Sequence, residues 1–138
     1  MATSKSGWTA FPYDAADYTY DAAALKKHWA RLHAGDAEPL PKDAAVLQAW
    51  AHFHAGEYQK AVVAGLKAGG AGITAANKAQ AIYANYLEEN ETRKLELFLE
   101  VAQRAEGQQA EDAKCAYAYY LQAYALGRYS QGISVAKA

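Results

Sequence analysis

The chain has 138 residues, 52% of them hydrophobic, enough for one domain with a substantial core. Its net charge of −1 and pI near 6.4 give no electrostatic footprint for nucleic acid or an anionic membrane surface. The single cysteine, Cys115, excludes an internal disulfide and a thiolate metal centre. No apolar run reaches membrane-spanning length, and residues 1–20 lack the charged-then-apolar order of a signal peptide, so a soluble, cytoplasmic protein is expected.

About a quarter of the chain is alanine and only three residues are proline, which is helical material. Residues 1–20 carry Trp8, Phe11, Tyr13, Tyr18 and Tyr20 without helical period. They read as an aromatic arm packed on the rest of the chain. Asp21 to Ala34 follows as a helix with Leu25, Trp29 and Leu32 on its stripe, ended by Gly35 and the Pro39/Pro41 pair. The next helix runs from Pro41, suited to a first turn, to Ala55, with Val46, Leu47, Trp50 and Phe53 apolar. Gly56 ends it in the left-handed conformation. A helix from about Glu57 to Ala68 is broken by Gly69-Gly-Ala-Gly72. Thr74 is the expected N-cap of a helix to about Glu89, with Ile82, Tyr83, Tyr86 and Leu87 apolar. Asn90 takes the turn. Glu91 to Glu106 carries Leu95, Phe98, Leu99 and Ala102, and Gly107 closes it. Gln109 to Leu126 carries Tyr117, Tyr120, Leu121 and Tyr124. Gly127 then turns the chain into a last short helix reaching Ala138.

The stretch Trp50 to Val63 recurs, with substitutions, as Leu121 to Ser134. Gly56 aligns with Gly127, Tyr58 with Tyr129 and Phe53 with Tyr124, 71 positions apart. The turn markers Gly56, Asn90 and Gly127 are spaced by 34 and 37 residues. That period predicts three helix–turn–helix units, about 42–70, 74–107 and 109–138, after a lead-in helix. No unit can bury its own apolar face, so the units stack.

At these residues the chain resembles the tetratricopeptide repeat family. The first unit matches at Ala49, Gly56, Tyr58, Ala61 and Ala68. The second matches at Tyr83-Ala84, Tyr86, Leu99 and Ala102, and the third at Gly127, Tyr129, Ile133 and Ala136. Tyr83 and Tyr120 stand where the family has a small residue, and the proline that closes each unit is absent. The resemblance covers roughly residues 21–138. It implies an all-α, right-handed superhelix of stacked antiparallel helix pairs, and a non-enzymatic adaptor without a cofactor. The first helix of each unit would line a concave, partner-binding groove. By position that groove holds Trp50, Phe53 and His54, then Asn77, Gln80 and Glu88, then Lys114, Tyr117, Leu121 and Tyr124. Val46 and Trp50 stand where carboxylate-clamping relatives have Lys and Asn, so an apolar or extended protein or peptide segment is the expected partner.

The remaining candidates have plain structural readings. His52 and His54, two apart on a helix, point to different sides and cannot share a metal; His28 and His33 are no better spaced. The acidic run Glu88-Glu89-Asn90-Glu91 reads as a solvated helix end. Gly69-Gly-Ala-Gly72 follows a helix, not a strand, and lacks the Gly-Lys-Ser/Thr of a phosphate loop. Cys115 has no histidine near it in sequence and reads as buried. The eleven tyrosines divide between core packing and an aromatic wall facing a ligand. At the C-terminal end Ile133, Val135 and Ala136 have no following helix to cover them. A longer array and a homodimer through this end are the two readings.

Overall fold

The computed structural model describes residues 7–137, with side chains described to residue 133. It is all-α. Among the described residues there are six α-helices and no strand: α1 (Ala22–Leu32), α2 (Ala44–His54), α3 (Tyr58–Ala68), α4 (Gly72–Tyr86), α5 (Glu91–Glu111) and α6 (Ala116–Lys137), preceded by a 3₁₀ turn at Ala16–Tyr18. None of these helices is long and apolar enough to cross a membrane.

Short polar side chains start three of the helices. Asp21 accepts the Ala24 N–H at 2.7 Å, Asp43 the Ala45 N–H at 2.8 Å, and Asn90 the Arg93 N–H at 2.9 Å. Each satisfies an N–H that has no partner within its own helix. Asn90 therefore starts α5 at φ −78° instead of taking a left-handed turn. Asp43, not Pro41, opens α2. Thr74 lies inside α4, where its hydroxyl accepts the Gln108 amide at 2.7 Å.

The glycines separate into two kinds. Gly56 has φ +79° and ends α2, and a Cβ there would collide with the Phe11 ring. Gly69 and Gly70, both at positive φ, make the turn from α3 to α4. Immediately beside that turn, Gly65 and Gly72 bring the two helices into backbone contact: a Cβ on either would overlap the other's carbonyl oxygen. By contrast, α5 continues through Gly107 to Glu111, and α6 runs through Gly127 without a break. A helical glycine costs only about 1 kcal/mol relative to alanine. Packing along α5, which at about 1.5 Å per residue is some 30 Å long, outweighs that and keeps α6 straight beside it. The third expected helix pair is thus one helix, and the repeated phrase around Gly127 does not repeat the turn at Gly56.

Each helix packs on the next in sequence, and α4 also touches α2 and α6. The contacts of α1 with α2, Trp29 on Trp50 and His33 on His54, advance in the same direction along both helices. Three apolar clusters result. One joins Tyr83 and Ala84 of α4 to Phe98 and Val101 of α5 and to Leu121 and Ala125 of α6. A second joins Leu25 and Trp29 of α1 to Leu47 and Trp50 of α2, and a third joins Ala61 and Val62 of α3 to Ala76 and Ala79 of α4. Alanine dominates the α3–α4 contact because only small residues fit between helices that approach this closely. The arm joins the body through Trp8, which packs against the first and third clusters. At the other end, Leu95 of α5 lies over Gly132 of α6. The side chains of Val135 and Ala136 lie outside the described residues.

Candidate functional site

A groove runs between α4 and α6. Helical spacing of three and four residues puts Tyr117, Tyr120 and Tyr124 on one side of α6. Their rings stack in series, with centroids 5.1 Å apart between Tyr117 and Tyr120 and 6.3 Å between Tyr120 and Tyr124. Across from them α4 supplies Lys78, Ala81, Ile82 and Tyr86. Tyr86 is 70% exposed and Tyr120 is 55% exposed. Two adjoining cavities fill the groove. One, of about 250 Å³, lies between Tyr86 and Tyr124; the other, of about 500 Å³, extends past Tyr117 and Tyr120 to Leu32, Gly35 and Asp36. Lys78 lines both.

The Asp36 end of the groove is built on a buried polar chain. Lys78 Nζ donates to Asp36 at 2.8 Å, and the Glu38 N–H donates to the same carboxylate at 3.1 Å. His33 Nδ1 lies 3.0 and 3.2 Å from the two Asp36 oxygens. His33 Nε2 then faces His54 Nε2 at 2.9 Å. With the His33 Nδ1 proton directed at Asp36, the neutral pair has His54 Nε2–H donating to His33 Nε2, an assignment made from the network. Trp29 stacks on His33 at 3.9 Å, and Trp50 meets it edge-on at 4.7 Å. The Lys78 ammonium lies 5.5 Å from the Phe53 and Tyr117 ring centres, within cation–π range.

Burial sets the protonation states here. It pushes His54 down to about 4, assisted by His33 and Lys78. Burial also lowers His33, against the opposing effect of Asp36. Burial alone would raise Asp36, but hydrogen bonds from Lys78 and the Glu38 N–H hold its carboxyl below the usual range. Glu38, half-buried, is pushed up to about 7 by desolvation and by the neighbouring Asp36 charge. Tyr117 is raised by burial.

Glu38 and His54 oppose each other in the pH dependence of stability. Between 4.5 and about 7 the folded chain holds the Glu38 proton and the unfolded chain does not, so stability rises as pH falls. Between 6.5 and about 4 the unfolded chain binds a proton at His54 and the fold does not, so stability falls as pH falls. The two limbs cancel where they overlap. Glu38→Gln removes one of them. Urea unfolding of that variant at a series of pH values should then show stability dropping through pH 6.5 towards 4, by up to about 3 kcal/mol. A profile that stays flat would contradict the neutral state of half-buried His54.

The residues expected to line a groove are divided by this geometry. Tyr117 and Tyr124 stand in the tyrosine series, half-buried. Leu121 lies beneath it, 2% exposed. Phe53 and His54 are half-buried behind Lys78. Trp50 is fully buried in the α1–α2 cluster and presents no surface to a partner. Asn77 and Gln80 are buried too, turned towards α5. Arg104 donates to Asn77 Oδ1 at 3.2 Å and to Gln80 Oε1 at 2.5 Å, and Gln80 Nε2 donates to Leu97 O at 3.0 Å and Glu100 at 2.9 Å. One residue along a helix is a rotation of 100°, and the expected face of α4 is displaced by that step from the observed one, which carries Lys78 and Ile82. Glu88 serves the α4–α5 connection, accepting from Tyr83 Oη at 3.0 Å and pairing with Arg93 at 3.3 Å. Lys114 is exposed in the α5–α6 connection, beside another cavity with Glu38 and Gln108. Cys115 lies in that connection as well, half-buried and not on a helix.

His52 and His54 do diverge. His52 Nδ1 pairs with Glu57 at 3.0 Å, while His54 turns inward to His33. Among the described residues no three of the His, Cys, Asp and Glu side chains are grouped to hold a metal ion. Sequence reasoning missed the inward roles of His33, Asp36 and Lys78. The stacked aromatics of α1 and α2 gave the only signal, and it was indirect: a histidine buried among tryptophans needs polar partners. No family model, curated protein or solved structure matches the chain.

Proposed function

We propose that the chain is a non-enzymatic helical-repeat module, similar to the tetratricopeptide family, that binds an extended protein or peptide segment along the tyrosine side of α6. The observation that carries this reading is the series Tyr117, Tyr120 and Tyr124 facing Tyr86 across an open groove. Tyrosine supplies a wide contact surface with few torsions to immobilise, so such a row binds with little entropic loss. The alternation of α2, α4 and α6, with α3 and α5 between them in sequence, suits a short superhelix whose inner layer carries the groove. Asp36 and Lys78 are hydrogen-bonded to each other, which suits a role in fixing the groove end and in orienting polar groups of a bound backbone.

The test is selection of random displayed peptides on the immobilised full chain, followed by affinity measurement. Tyr120→Ala should weaken the selected peptides tenfold or more while the melting temperature stays within a degree or two. Peptides that bind Tyr120→Ala and Tyr86→Ala as tightly as the native chain would remove the groove reading.

A further inference from the structure

The N-terminal arm is seated on the body as a peptide ligand is seated on a receptor. Its Trp8 ring lies flat on Tyr83, with centroids 4.2 Å apart and planes 15° from parallel. The Trp8 backbone N–H donates to Gln59 Oε1 at 3.3 Å, and the Thr9 N–H donates to Tyr83 Oη at 2.9 Å. Tyr83 Oη gives its own proton to Glu88 at 3.0 Å, which turns an oxygen lone pair towards Thr9. Three residues after Trp8, the Phe11 ring fills the space left by the missing Cβ of Gly56 and meets Tyr58 edge-on at 6.2 Å.

We propose that this surface of α3 and α4 is a second docking site, distinct from the α4–α6 groove, for an extended partner segment with aromatic residues at positions i and i+3. Residues 8–11 occupy it as a tethered ligand. What the body recognises is two aromatic rings, two backbone N–H groups and the Thr9 side chain, which also hydrogen-bonds Tyr83. The receiving features are supplied by the body itself, through the Glu88 contact to Tyr83 and the positive φ of Gly56. Hold on the arm weakens directly after Phe11, since Pro12, Tyr13 and Asp14 are exposed, Tyr13 by 71%. A cavity of about 360 Å³ remains open beside the arm, bounded by Tyr13, Glu57 and Lys60, so an incoming segment can enter before the arm has left. The partner is thus a peptide of the same chemistry as the arm, competing with a ligand held at high effective concentration by its tether.

The test uses the full chain and a fluorescent peptide of residues 7–15. In the Trp8→Ala/Phe11→Ala variant the tethered ligand has lost its anchors, and anisotropy should show saturable binding at least tenfold tighter than to the native chain. Removing Trp and Phe from the peptide should abolish binding, and Tyr83→Phe in the same variant should weaken it several-fold. Thr9→Pro, which deletes the Thr9 N–H and its hydroxyl but keeps both rings, serves if the double variant does not fold, and it should also raise peptide binding. Absence of saturable binding to a cooperatively folded variant overturns the proposal, as does equal affinity for native and variant chains. Light scattering that finds the native chain dimeric, with the double variant monomeric, overturns it in favour of arm exchange between two copies.

Discussion

Gly65→Ala should destabilise the protein by about 3 kcal/mol, although alanine is the better helix former by about 1 kcal/mol. At this position the new methyl meets the Gly72 carbonyl oxygen, which is backbone and cannot rotate away as a side chain would. Relief requires α3 and α4 to separate, which opens the contact of Ala61 and Val62 with Ala76 and Ala79. Gly127→Ala is the opposite case. The position is helical and nothing lies within 4 Å of the added Cβ, so propensity alone acts and stability should rise by up to about 1 kcal/mol. Thermal melts read both signs, with a fall on the order of 10 °C for the first and a rise of a few degrees for the second. A loss of stability in Gly127→Ala would mean that the chain turns there after all.

Trp50→Ala should cost about 4 kcal/mol, close to the whole stability of many domains. The indole is fully buried and touches Trp29, His33, Phe53 and His54. Removing it leaves a cavity beside the Asp36–His33–His54 chain, so near-ultraviolet dichroism should be lost along with stability. Its Nε1 has no hydrogen-bond partner, so Trp50→Phe deletes an unsatisfied donor and should cost distinctly less than alanine. Denaturant unfolding of the two variants beside Tyr120→Ala distinguishes an aromatic that holds the fold from one that faces solvent. Equal stability of Trp50→Ala and Tyr120→Ala would contradict the burial of Trp50.

The contrast between Gly56 and Gly127 shows how far the sequence could be read. Helix content, the start near Asp21, the turn at Gly56 and the break at Gly69-Gly70 follow from local rules and are present. Gly127 carries the same local signal as Gly56. What differs is remote: at Gly56 the chain bends and Phe11, forty-five positions earlier, fills the space, whereas Gly127 lies on a helix held straight by α5. Spacing set Tyr117, Tyr120 and Tyr124 on the apolar stripe of α6, but the groove residues expected there were Tyr117, Leu121 and Tyr124, and Leu121 lies buried beneath the series while Tyr120 is exposed. The matching face of α4 was not legible, because the stripe of alanines from Ala75 to Ala84 marks no direction, and a 100° rotation exchanges Asn77 and Gln80 for Lys78 and Ile82. His33 and Asp36 were invisible for a related reason: their partners His54 and Lys78 are distant in sequence and meet only when α1, α2 and α4 pack.

The groove itself is tested most directly by mapping where a selected peptide sits. Amide chemical shifts of the full chain, recorded with and without such a peptide, should move along Lys78–Tyr86 of α4 and Tyr117–Arg128 of α6, and those changes should vanish in Tyr120→Ala. Shifts confined to the Trp8–Phe11 arm and α3, or unaltered by Tyr120→Ala, would contradict the assignment of the tyrosine groove as the binding surface.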